Sequence, residues 1–560
     1  MMKKTITLSI LASISLMAAA PTTGDILRQV EPIKMPEVQK ELPSVGSEYK
    51  APLVAQDTMK TYVKSFKFSG NTVFSSVTLE ALVKDSENKE LGINGLKEVA
   101  SVITKYYRDH GYFVARAYIP AQSMENGIIE IAIIEGSYGA FDMKNSSHVN
   151  TSEVQGYMDH LKGGERVSTK TLERQMLLIN DLSGAQVTNA EVYPGKDVGT
   201  SDFRITVSPT QKYSGYAMVD NYGSRYTGEE RLNAGASINS LTGVGDTLTL
   251  SGLVSNTRDL KNGRLAYDRP LGYTGLKGGV SVSITDYTLK EISNYDASGQ
   301  ANIYSAYISY PFIKTRAHTL SVEADYDHKE FQDTSGATGA TELSRKKIDV
   351  TTLKLNDRSN TAFFALPGSL FASLGLSTGH LYTVNDVAVI SDASLNSEGT
   401  YSKVTLNLNH TQVLNPLLNL QTTFKAQKSF GKNLDSSEDI SVGGSNGVRA
   451  YEDSELSGDQ GYALSLDLAY ALPQVAQVNH NASVFIDHAQ VWTNTTIPDG
   501  TTTKNTRSLD ALGIGYALNY KNFDLKATYA HGFGGESTPT SEAEFSTCKD
   551  KFLIQGMMRF

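Results

Sequence analysis

The residues best suited to catalysis in this 560-residue chain are ten histidines and one cysteine, Cys548. Histidines such as His328, His380 and His488 could bind a metal or transfer protons, but they follow no H-E-x-x-H or similar ligand spacing. We expect no hydrolase nucleophile elbow, and we find no G-x-x-x-x-G-K-[ST] phosphate loop. Cys548 has no second cysteine with which to pair. The sequence therefore predicts a protein that is not an enzyme, with no catalytic site, no metal and no cofactor.

The first residues have the order of a secretory signal. Lys3 and Lys4 precede an apolar run at residues 6–17, and three alanines follow at 18–20. This order predicts a cleaved signal over residues 1–20. An N-terminal membrane anchor is the alternative, although the run is shorter than the roughly 18 residues of a spanning helix. The formal net charge of −9 argues against nucleic acid as a partner, because phosphate binding needs a basic surface.

From about residue 210 onward, apolar and polar residues alternate in segments of about ten residues. Gly, Asn, Asp and Ser separate these segments, and no apolar run is long enough for a transmembrane helix. The chain contains 29 tyrosines and 47 glycines, which suit interfacial aromatic girdles and bent strands. Residues 210–560 are therefore predicted to form an all-β transmembrane barrel of about 16 antiparallel strands.

The last strand carries a further signal at its end. Phe552, Ile554, Gly556 and Met558 share one face with the terminal Phe560. A chain that ends on an aromatic residue in this register resembles the recognition signal of outer-membrane barrels. That resemblance implies contact with the barrel-assembly machinery during biogenesis and with outer-membrane lipid afterwards. The final strand of a soluble β protein is the alternative interpretation.

Residues 21–56 have the pattern of a short helix followed by a linker. The helical segment contains Ile26, Leu27 and Arg28, and it ends before the first of several prolines. Prolines that recur in a polar context favour an extended connector with little packing. A disordered mature N-terminus is the alternative for the same residues.

Residues 61–135 and 136–209 each alternate strand and helix patterns. They are predicted to form two small α+β modules, each with one sheet covered by two helices. Asn126-Gly127 predicts a hairpin turn in the first module. A sheet this small has exposed edges, to which an extended polypeptide could add a strand; plain spacers are the alternative. One predicted helix face is formed by Leu79, Leu82 and Val83.

Five short motifs occur in an order that resembles one known family. They are Phe-Lys-Phe-Ser-Gly-Asn-Thr-Val-Phe at 66–74, Asp-Asn-Tyr-Gly at 220–223 followed by Thr-Gly at 227–228, Tyr-Pro-Phe at 310–312, Gly443-Gly444 with Val448-Arg449-Ala450-Tyr451, and Phe485-Ile486-Asp487-His488-Ala489. With the signal, the two modules and the terminal phenylalanine, they make the chain resemble two-partner-secretion transporters of the outer membrane, the TpsB family. The resemblance covers essentially the whole mature chain. It implies two POTRA-like modules in the periplasm of a Gram-negative-type bacterium, followed by the barrel.

The resemblance also implies roles for particular residues. The loop that holds Arg449 would fold back into the barrel as a lid, where Arg449 would meet Asp487 on the inner wall. A planar guanidinium suits this role because it can engage a carboxylate with two hydrogen bonds. Without the resemblance, both residues would be interpreted as ordinary charges of a polar lumen. The segment around Leu27 resembles the family's plug helix, which sits in the pore and can leave it.

Two residues depart from the family pattern. Ala450 and Ala489 stand where the family usually has glycine. Each alanine adds only a methyl group, but that group could shift a tight turn or a close packing contact. The effect of both replacements on the lid motif and on the Phe485 strand motif is therefore open at the level of sequence.

The function that the resemblance implies is export of one partner polypeptide, of TpsA type, to the cell surface. A barrel-assembly factor is the nearest alternative, but such proteins commonly carry more modules and usually lack a plug helix. A passive porin would leave the N-terminal modules without a role. The identity of the partner and the oligomeric state are not readable from the sequence.

Overall fold

A computed structural model of the chain describes residues 23–32, 40–44 and 60–560, apart from gaps at 124, 164, 291–296, 335–342, 364, 394, 454, 499–503 and 534–549. The predicted signal at residues 1–20, Cys548 and most of the proline-rich connector lie outside the described residues. No helix among the described residues is both long and apolar enough to cross a membrane. The first described element is helix α1, Thr23–Gln29.

Residues 60–134 fold into a first module in which two helices cover a small sheet. Its elements are β1 (Lys60–Val63), β2 (Ser65–Ser69), α2 (Ser76–Val83), β3 (Lys89–Gly92), α3 (Ile93–Asp109), β4 (Arg116–Tyr118) and β5 (Ile128–Ile134), with 3₁₀ turns at Lys84–Ser86 and Glu125–Gly127. The three-stranded sheet has the order β2-β5-β4, and β1 pairs separately with β3. Strand β2 runs parallel to β5, whereas β4 runs antiparallel to it.

The core of the first module follows the sequence pattern with two exceptions. Phe66, Phe68 and the alternate isoleucines of β5 are buried, as period-two alternation requires. Leu82, predicted on the buried face of α2, is 38% exposed, because the three residues Leu79, Leu82 and Val83 span more of the helix than the sheet covers. The second exception is the turn of the predicted hairpin. Strands β4 and β5 pair antiparallel as predicted, but the connection 119–127 is longer than a two-residue turn. Asn126 and Gly127, both with positive φ, end this connection.

A second module follows directly and repeats the plan. Its elements are β6 (Ser137–Asn145), α4 (Thr151–Asp159), α5 (Thr169–Asn180), β7 (Ala185–Pro194) and β8 (Thr200–Pro209), with a 3₁₀ turn at His160–Lys162. The sheet has the order β6-β8-β7. Ser168 begins α5 by accepting a hydrogen bond from the backbone N–H of Thr171 at 3.2 Å, a standard N-cap. The face of α5 that carries Leu172, Met176 and Ile179 is completely buried against the sheet.

The two modules are joined through the buried carboxylate of Glu135. Its Oε1 accepts hydrogen bonds from the backbone N–H groups of Thr72 at 2.6 Å and Val73 at 2.7 Å, and from the Tyr107 hydroxyl at 2.9 Å. Arg166 of the second module lies 3.3 Å from its Oε2. Burial alone would raise the pKa of Glu135, but the hydrogen bonds it accepts outweigh burial and leave that pKa below its ordinary value.

The second module is fastened both to the linker and to the barrel. Lys40 donates from Nζ to the carbonyls of Leu182 at 3.1 Å and Ala185 at 2.7 Å, just beyond α5. Arg316, in the turn between two barrel strands, lies 2.7 Å from the Glu173 carboxylate and donates to the carbonyl of Pro43 at 2.8 Å. The short linker segment 40–44 is therefore held where the module meets the barrel.

Sixteen strands of the described chain close into an antiparallel barrel, which confirms the predicted fold class. The ring consists of β9 (Tyr213–Asp220), β10 (Arg231–Asn239), β11 (Thr247–Ser255), β12 (Leu260–Pro270), β13 (Lys277–Leu289), β14 (Ala297–Lys314), β15 (His318–Thr334), β16 (Leu343–Phe363), β17 (Leu366–Thr383), β18 (Gly399–Asn415), β19 (Leu418–Phe430), β22 (Gln460–Ala471), β23 (Asn479–Trp492), β24 (Thr506–Tyr520), β25 (Phe523–Gly532) and β26 (Asp550–Arg559). The short strands β20 (Ile440–Ser441) and β21 (Ser457–Gly458) lie outside the ring, as does helix α6 (Asp386–Asp392).

Strand β23 shows how alternation builds the wall. Val484 and Ile486 are 54% and 49% exposed on the outer face, whereas Phe485 and Asp487 are 5% and 1% exposed on the inner face. Apolar side chains on the outer face suit contact with lipid, and the inner face can carry charge. Successive residues of the strand therefore face the outside and the lumen of the barrel in turn.

The ring closes where β26 meets β9, between Gln555–Arg559 and Tyr216–Asp220. The pairing continues past Arg559, because the Phe560 N–H donates to the Gly215 carbonyl at 3.0 Å and the Gly215 N–H donates back at 2.8 Å. At the other end, the Asn221 amide donates to the Phe552 carbonyl at 2.8 Å and accepts from the Ile554 N–H at 2.8 Å. A side-chain amide thus extends the seam beyond the last paired residue of β9.

We expect Glu135→Gln to lower the free energy of unfolding of the first module by about 1–3 kcal/mol, because buried N–H groups lose an ionised acceptor. Hydrogen exchange at the amides of residues 72 and 73 in the full chain measures this loss. The folded pKa lies below the unfolded one, so the carboxylate's contribution is present above pH about 4.3 and is lost as pH falls through the folded pKa. Glu90→Gln, at an exposed position of β3, is the matched control. Equal protection in both variants would contradict the assignment.

Candidate lumen gate

The connection between β19 and β22, residues 431–459, folds into the barrel and is called the lid loop here. It contains a 3₁₀ turn at Ser436–Glu438, and its strands β20 and β21 pair antiparallel. Val442 and Val448 of the loop are completely buried. They belong to one apolar cluster with the inner-wall residues Phe485, Ala489, Val491, Leu509, Ala511 and Ala530. The lid loop therefore packs against the wall formed by β23, β24 and β25.

Backbone contacts inside the lid loop require glycine at positions 443 and 444. A Cβ atom on Gly443 would lie 2.0 Å from the carbonyl oxygen of Glu452. Gly444 has φ of +75° and donates its N–H to the Tyr451 carbonyl at 3.1 Å. The Val448 N–H donates to the Val442 carbonyl at 2.7 Å. These bonds form the tight turn that presents Arg449 to the wall.

Arg449 is held by two carboxylates of the inner wall. Its Nε and one terminal nitrogen donate to the two Asp487 oxygens at 2.9 and 2.6 Å, in a bidentate arrangement. Its terminal nitrogens also donate to the two Asp467 oxygens at 2.8 and 3.0 Å. The backbone N–H of Arg449 reaches Asp487 at 3.1 Å, and the guanidinium carbon lies 3.4 Å from the centre of the Phe485 ring. Ser465 accepts a further bond at 2.8 Å.

A buried ion network of this kind adds little to the overall stability of the fold, but it favours one position of the lid loop. Moving charges out of water has a large desolvation penalty, so the net gain from the network is small. Breaking it by removing Arg449 is different, because the buried Asp487 and the partly buried Asp467 would then lose their cation. The network therefore favours the docked position of the lid loop over other positions in the lumen.

Helix α1 lies inside the barrel, beside the lid loop. Ile26 is completely buried in a cluster with the inner-wall residues Tyr226, Leu253, Leu260, Tyr287 and Leu289. Leu27 packs against a second cluster that includes Phe331, Ile348, Tyr401 and, from the lid loop, Leu434. The helix is therefore wedged between two apolar patches of the wall.

Polar contacts complete the fit of α1. Arg28 forms an ion pair with Asp25 and donates to the Ser436 carbonyl of the lid loop at 3.4 Å. The Gln29 carbonyl accepts a hydrogen bond from the Arg231 guanidinium at 3.0 Å. All these contacts between α1, the lid loop and the wall are non-covalent.

Comparison with known proteins assigns this architecture to a family. The model of the family "Haemolysin secretion/activation protein ShlB/FhaC/HecB" matches residues 199–518. The chain belongs to this family. A model of the ShlB-type POTRA domain also matches residues 62–136. Proteins of the haemolysin secretion/activation family export partner proteins across the outer membrane, and their POTRA domains lie in the periplasm. The predicted location and the predicted family are confirmed.

Known proteins are similar to this chain over most of its length. "Heme/hemopexin transporter protein HuxB" of Haemophilus influenzae Rd is 27% identical over 92% of both chains. The solved structure of CdiB from Escherichia coli has a TM-score of 0.72 at 18% identity, over 93% of this chain and 94% of that one. BamA from Haemophilus ducreyi, lacking POTRA domains 1–3, has a lower TM-score of 0.51 at 16% identity, over 89% of this chain and all of that one.

The two alanines that replace family glycines are accommodated by apolar contacts. Ala489 is completely buried and Ala450 is nearly so, and both belong to the cluster between lid loop and wall. The backbone angle φ of Ala450 is not positive, so its turn does not require glycine. Tyr451, next to it, packs its ring over Gly532, where a Cβ atom would lie 2.8 Å from the hydroxyl.

Asp467 is the site residue that sequence reasoning missed. It lies on the inner face of β22, paired in register with Phe485, and it engages Arg449 as closely as Asp487 does. The signal was present in the sequence, since Ser465 and Asp467 alternate with Leu464, Leu466 and Leu468. That alternation places the polar residues on the lumen side, but it does not say which charge of the lid they meet.

The lid loop contains one sequence that fits the spacing of a hydrolase nucleophile. Residues 443–447, Gly-Gly-Ser-Asn-Gly, fit G-x-S-x-G, but they form a turn of the lid loop without the strand–turn–helix of a nucleophile elbow. His488 pairs with Asp510 at 2.7 Å between neighbouring strands. Among the described residues, no group of three His, Cys, Asp or Glu side chains could hold a metal ion.

We expect Arg449→Ala to destabilise the docked lid loop by about 3–5 kcal/mol, because the buried Asp487 and the partly buried Asp467 lose their cation. Channel conductance of the purified protein in planar bilayers should rise, while heat-modifiable migration in detergent gels should stay that of a folded barrel. Arg269→Ala removes an exposed arginine at the end of β12 and serves as the control. Equal conductance in the two variants would show that Arg449 does not hold the lid.

Proposed function

We propose that this chain receives one unfolded, TpsA-type partner polypeptide in the periplasm and releases it at the cell surface through the barrel lumen. The observation that supports this most is the filling of the lumen. Helix α1 and the lid loop both occupy it, and both are held by side-chain contacts that can be undone without opening the wall. Departure of α1 and relaxation of the lid loop would leave a path for an extended chain.

The two modules offer surfaces on which such a chain could be received. The strand order β2-β5-β4 leaves β2 and β4 at the edges of the first sheet, and the order β6-β8-β7 leaves β6 and β7 at the edges of the second. An edge strand presents unpaired N–H and C=O groups, so an extended polypeptide can add to it by main-chain hydrogen bonds. This supports docking of the partner before transport.

The other expected partners belong to the membrane. Exposed apolar residues on the outer wall support contact with outer-membrane lipid, for example Val280, Ile308, Leu376, Ile514 and Met558. The position of Phe560 at the seam supports recognition by the barrel-assembly machinery while the ring closes. The net charge of −9 makes nucleic acid a poor partner. We propose no enzymatic step, and folding of the partner outside the cell would favour outward movement.

A barrel-assembly factor is the alternative function. The lower TM-score of BamA, 0.51 against 0.72 for CdiB, favours export. The position of α1 inside the lumen also favours export. A helix that fills the lumen has to leave it only if a polypeptide passes through.

We expect deletion of residues 61–208 to reduce secretion of the cognate partner to background. The reason is that the barrel would lose the surfaces on which the unfolded partner docks. Secretion is measured as partner protein in the culture medium, and barrel folding is measured in parallel by heat-modifiable migration.

The alternative function is tested in the same cells. Export predicts unchanged levels of other outer-membrane barrels in the deletion strain, whereas an assembly factor predicts that they fall. Secretion of the partner at the wild-type level by a folded, deleted barrel would refute docking on the modules.

A further inference from the structure

The lid loop has a second attachment, on strands of the wall other than those that bind Arg449. Residues 435–438, called the acidic turn here, place Asp435 and Glu438 against lysines of three strands. Glu438 lies 2.5 Å from Lys329 Nζ of β15 and 2.9 Å from Lys403 Nζ of β18. Asp435 lies 3.0 Å from Lys346 Nζ of β16. Glu438 is only 3% exposed, so these ion pairs are little screened by water.

The three lysines face the lumen because of the strand period. Lys346 points inward, whereas the next residue, Lys347, points outward and pairs with Glu330 at 2.6 Å on the outer wall. Neighbouring lysines of one strand therefore have different partners and different surroundings. Without the acidic turn, each inner lysine would lose the carboxylate with which it pairs directly, which is costly at a buried site. The wall is thus built to receive a negatively charged segment.

The acidic turn is also the surface on which α1 rests. A Cβ atom on Gly24 would lie 2.0 Å from the Ser436 carbonyl oxygen, so the helix backbone contacts the turn directly. Arg28 donates to the same carbonyl at 3.4 Å. Thr23 donates to the Asp333 carboxylate of β15 at 2.7 Å, beside the lysines. Displacement of the turn would remove the support under the first turn of α1.

We propose that Lys329, Lys346 and Lys403 hold the acidic turn as the seat of α1, so that the helix stays in the lumen only while the turn is docked. The lid loop is then attached at two places. Arg449 fixes it to β22 and β23, and the acidic turn fixes it to β15, β16 and β18. Release of the acidic turn couples movement of the lid to departure of the plug. This assignment of positioning residues rests on the proposed export function.

Accessibility of a thiol on α1 tests the seat. The reporter is Ile26→Cys in a Cys548→Ser background, with the purified full chain in detergent and a bulky water-soluble maleimide as the probe. Ile26 is completely buried in the plugged barrel, so labelling reports departure of the helix. We expect Glu438→Gln and the double variant Lys329→Met/Lys403→Met to raise the labelling rate by about tenfold or more.

Two variants serve as controls. One tests whether losing a lysine anywhere on the wall raises labelling, and the other tests whether the positive charge is what matters. Lys347→Met removes a lysine of the outer wall and should leave the labelling rate unchanged. Lys403→Arg keeps the charge and should also leave it low, whereas Lys403→Met should raise it. The seat is refuted if Glu438→Gln labels at the unmodified rate, or if Lys347→Met accelerates labelling as much as the lumen variants do. Glu438→Gln changes a loop residue and keeps its shape, so it remains informative if a wall variant fails to fold.

Failure of the export function would be distinguished by secretion of the cognate partner. If the wild-type chain does not secrete the partner while labelling responds as expected, the seat stands and the transport function falls. If the wild-type chain secretes the partner while labelling is unaffected by every lumen variant, the function stands and the seat falls.

Discussion

Lipid offers no hydrogen-bond partner to a peptide group, so each strand of this barrel must pair with a neighbour on both sides. That constraint requires the last strand to find the first. The seam uses the shortest pairing in the ring, Gln555–Arg559 with Tyr216–Asp220, and is extended by Phe560 at one end and by Asn221 at the other. A closed wall of fixed register follows, and every inward-facing charge acquires a defined position around the lumen.

The defined positions bring particular inner-wall charges to the lid loop. Carboxylates face the lumen on β22 and β23, and lysines face it on β15, β16 and β18. The lid loop carries the charges that complement these strands. Asp435 and Glu438 lie in its first part, and Arg449 lies in its second part. Oppositely charged wall residues therefore fix the loop at two separate places. Helix α1 then fits between two apolar patches and the loop.

Much of this architecture follows from local sequence pattern. Period-two alternation predicted the barrel and its strand number, and the terminal Phe560 predicted the last strand, because both depend on neighbours along one strand. The exposed Leu82 and the long connection between β4 and β5 depend on how far a sheet extends, which local pattern does not contain. Asp467 and the inner lysines were missed for a similar reason. Their partners lie far away in sequence, and only ring closure and register bring them together.

Lys40 gives the N-terminal segment a fixed point at the mouth of the barrel. Its ammonium group is bound by carbonyls beyond α5, and Arg316 binds the linker two residues later. Only ten residues separate Gln29, at the end of α1, from Lys40. If α1 leaves the lumen while this clamp holds, its return is therefore an intramolecular reaction. Re-entry of the helix would then close the pore again after transport.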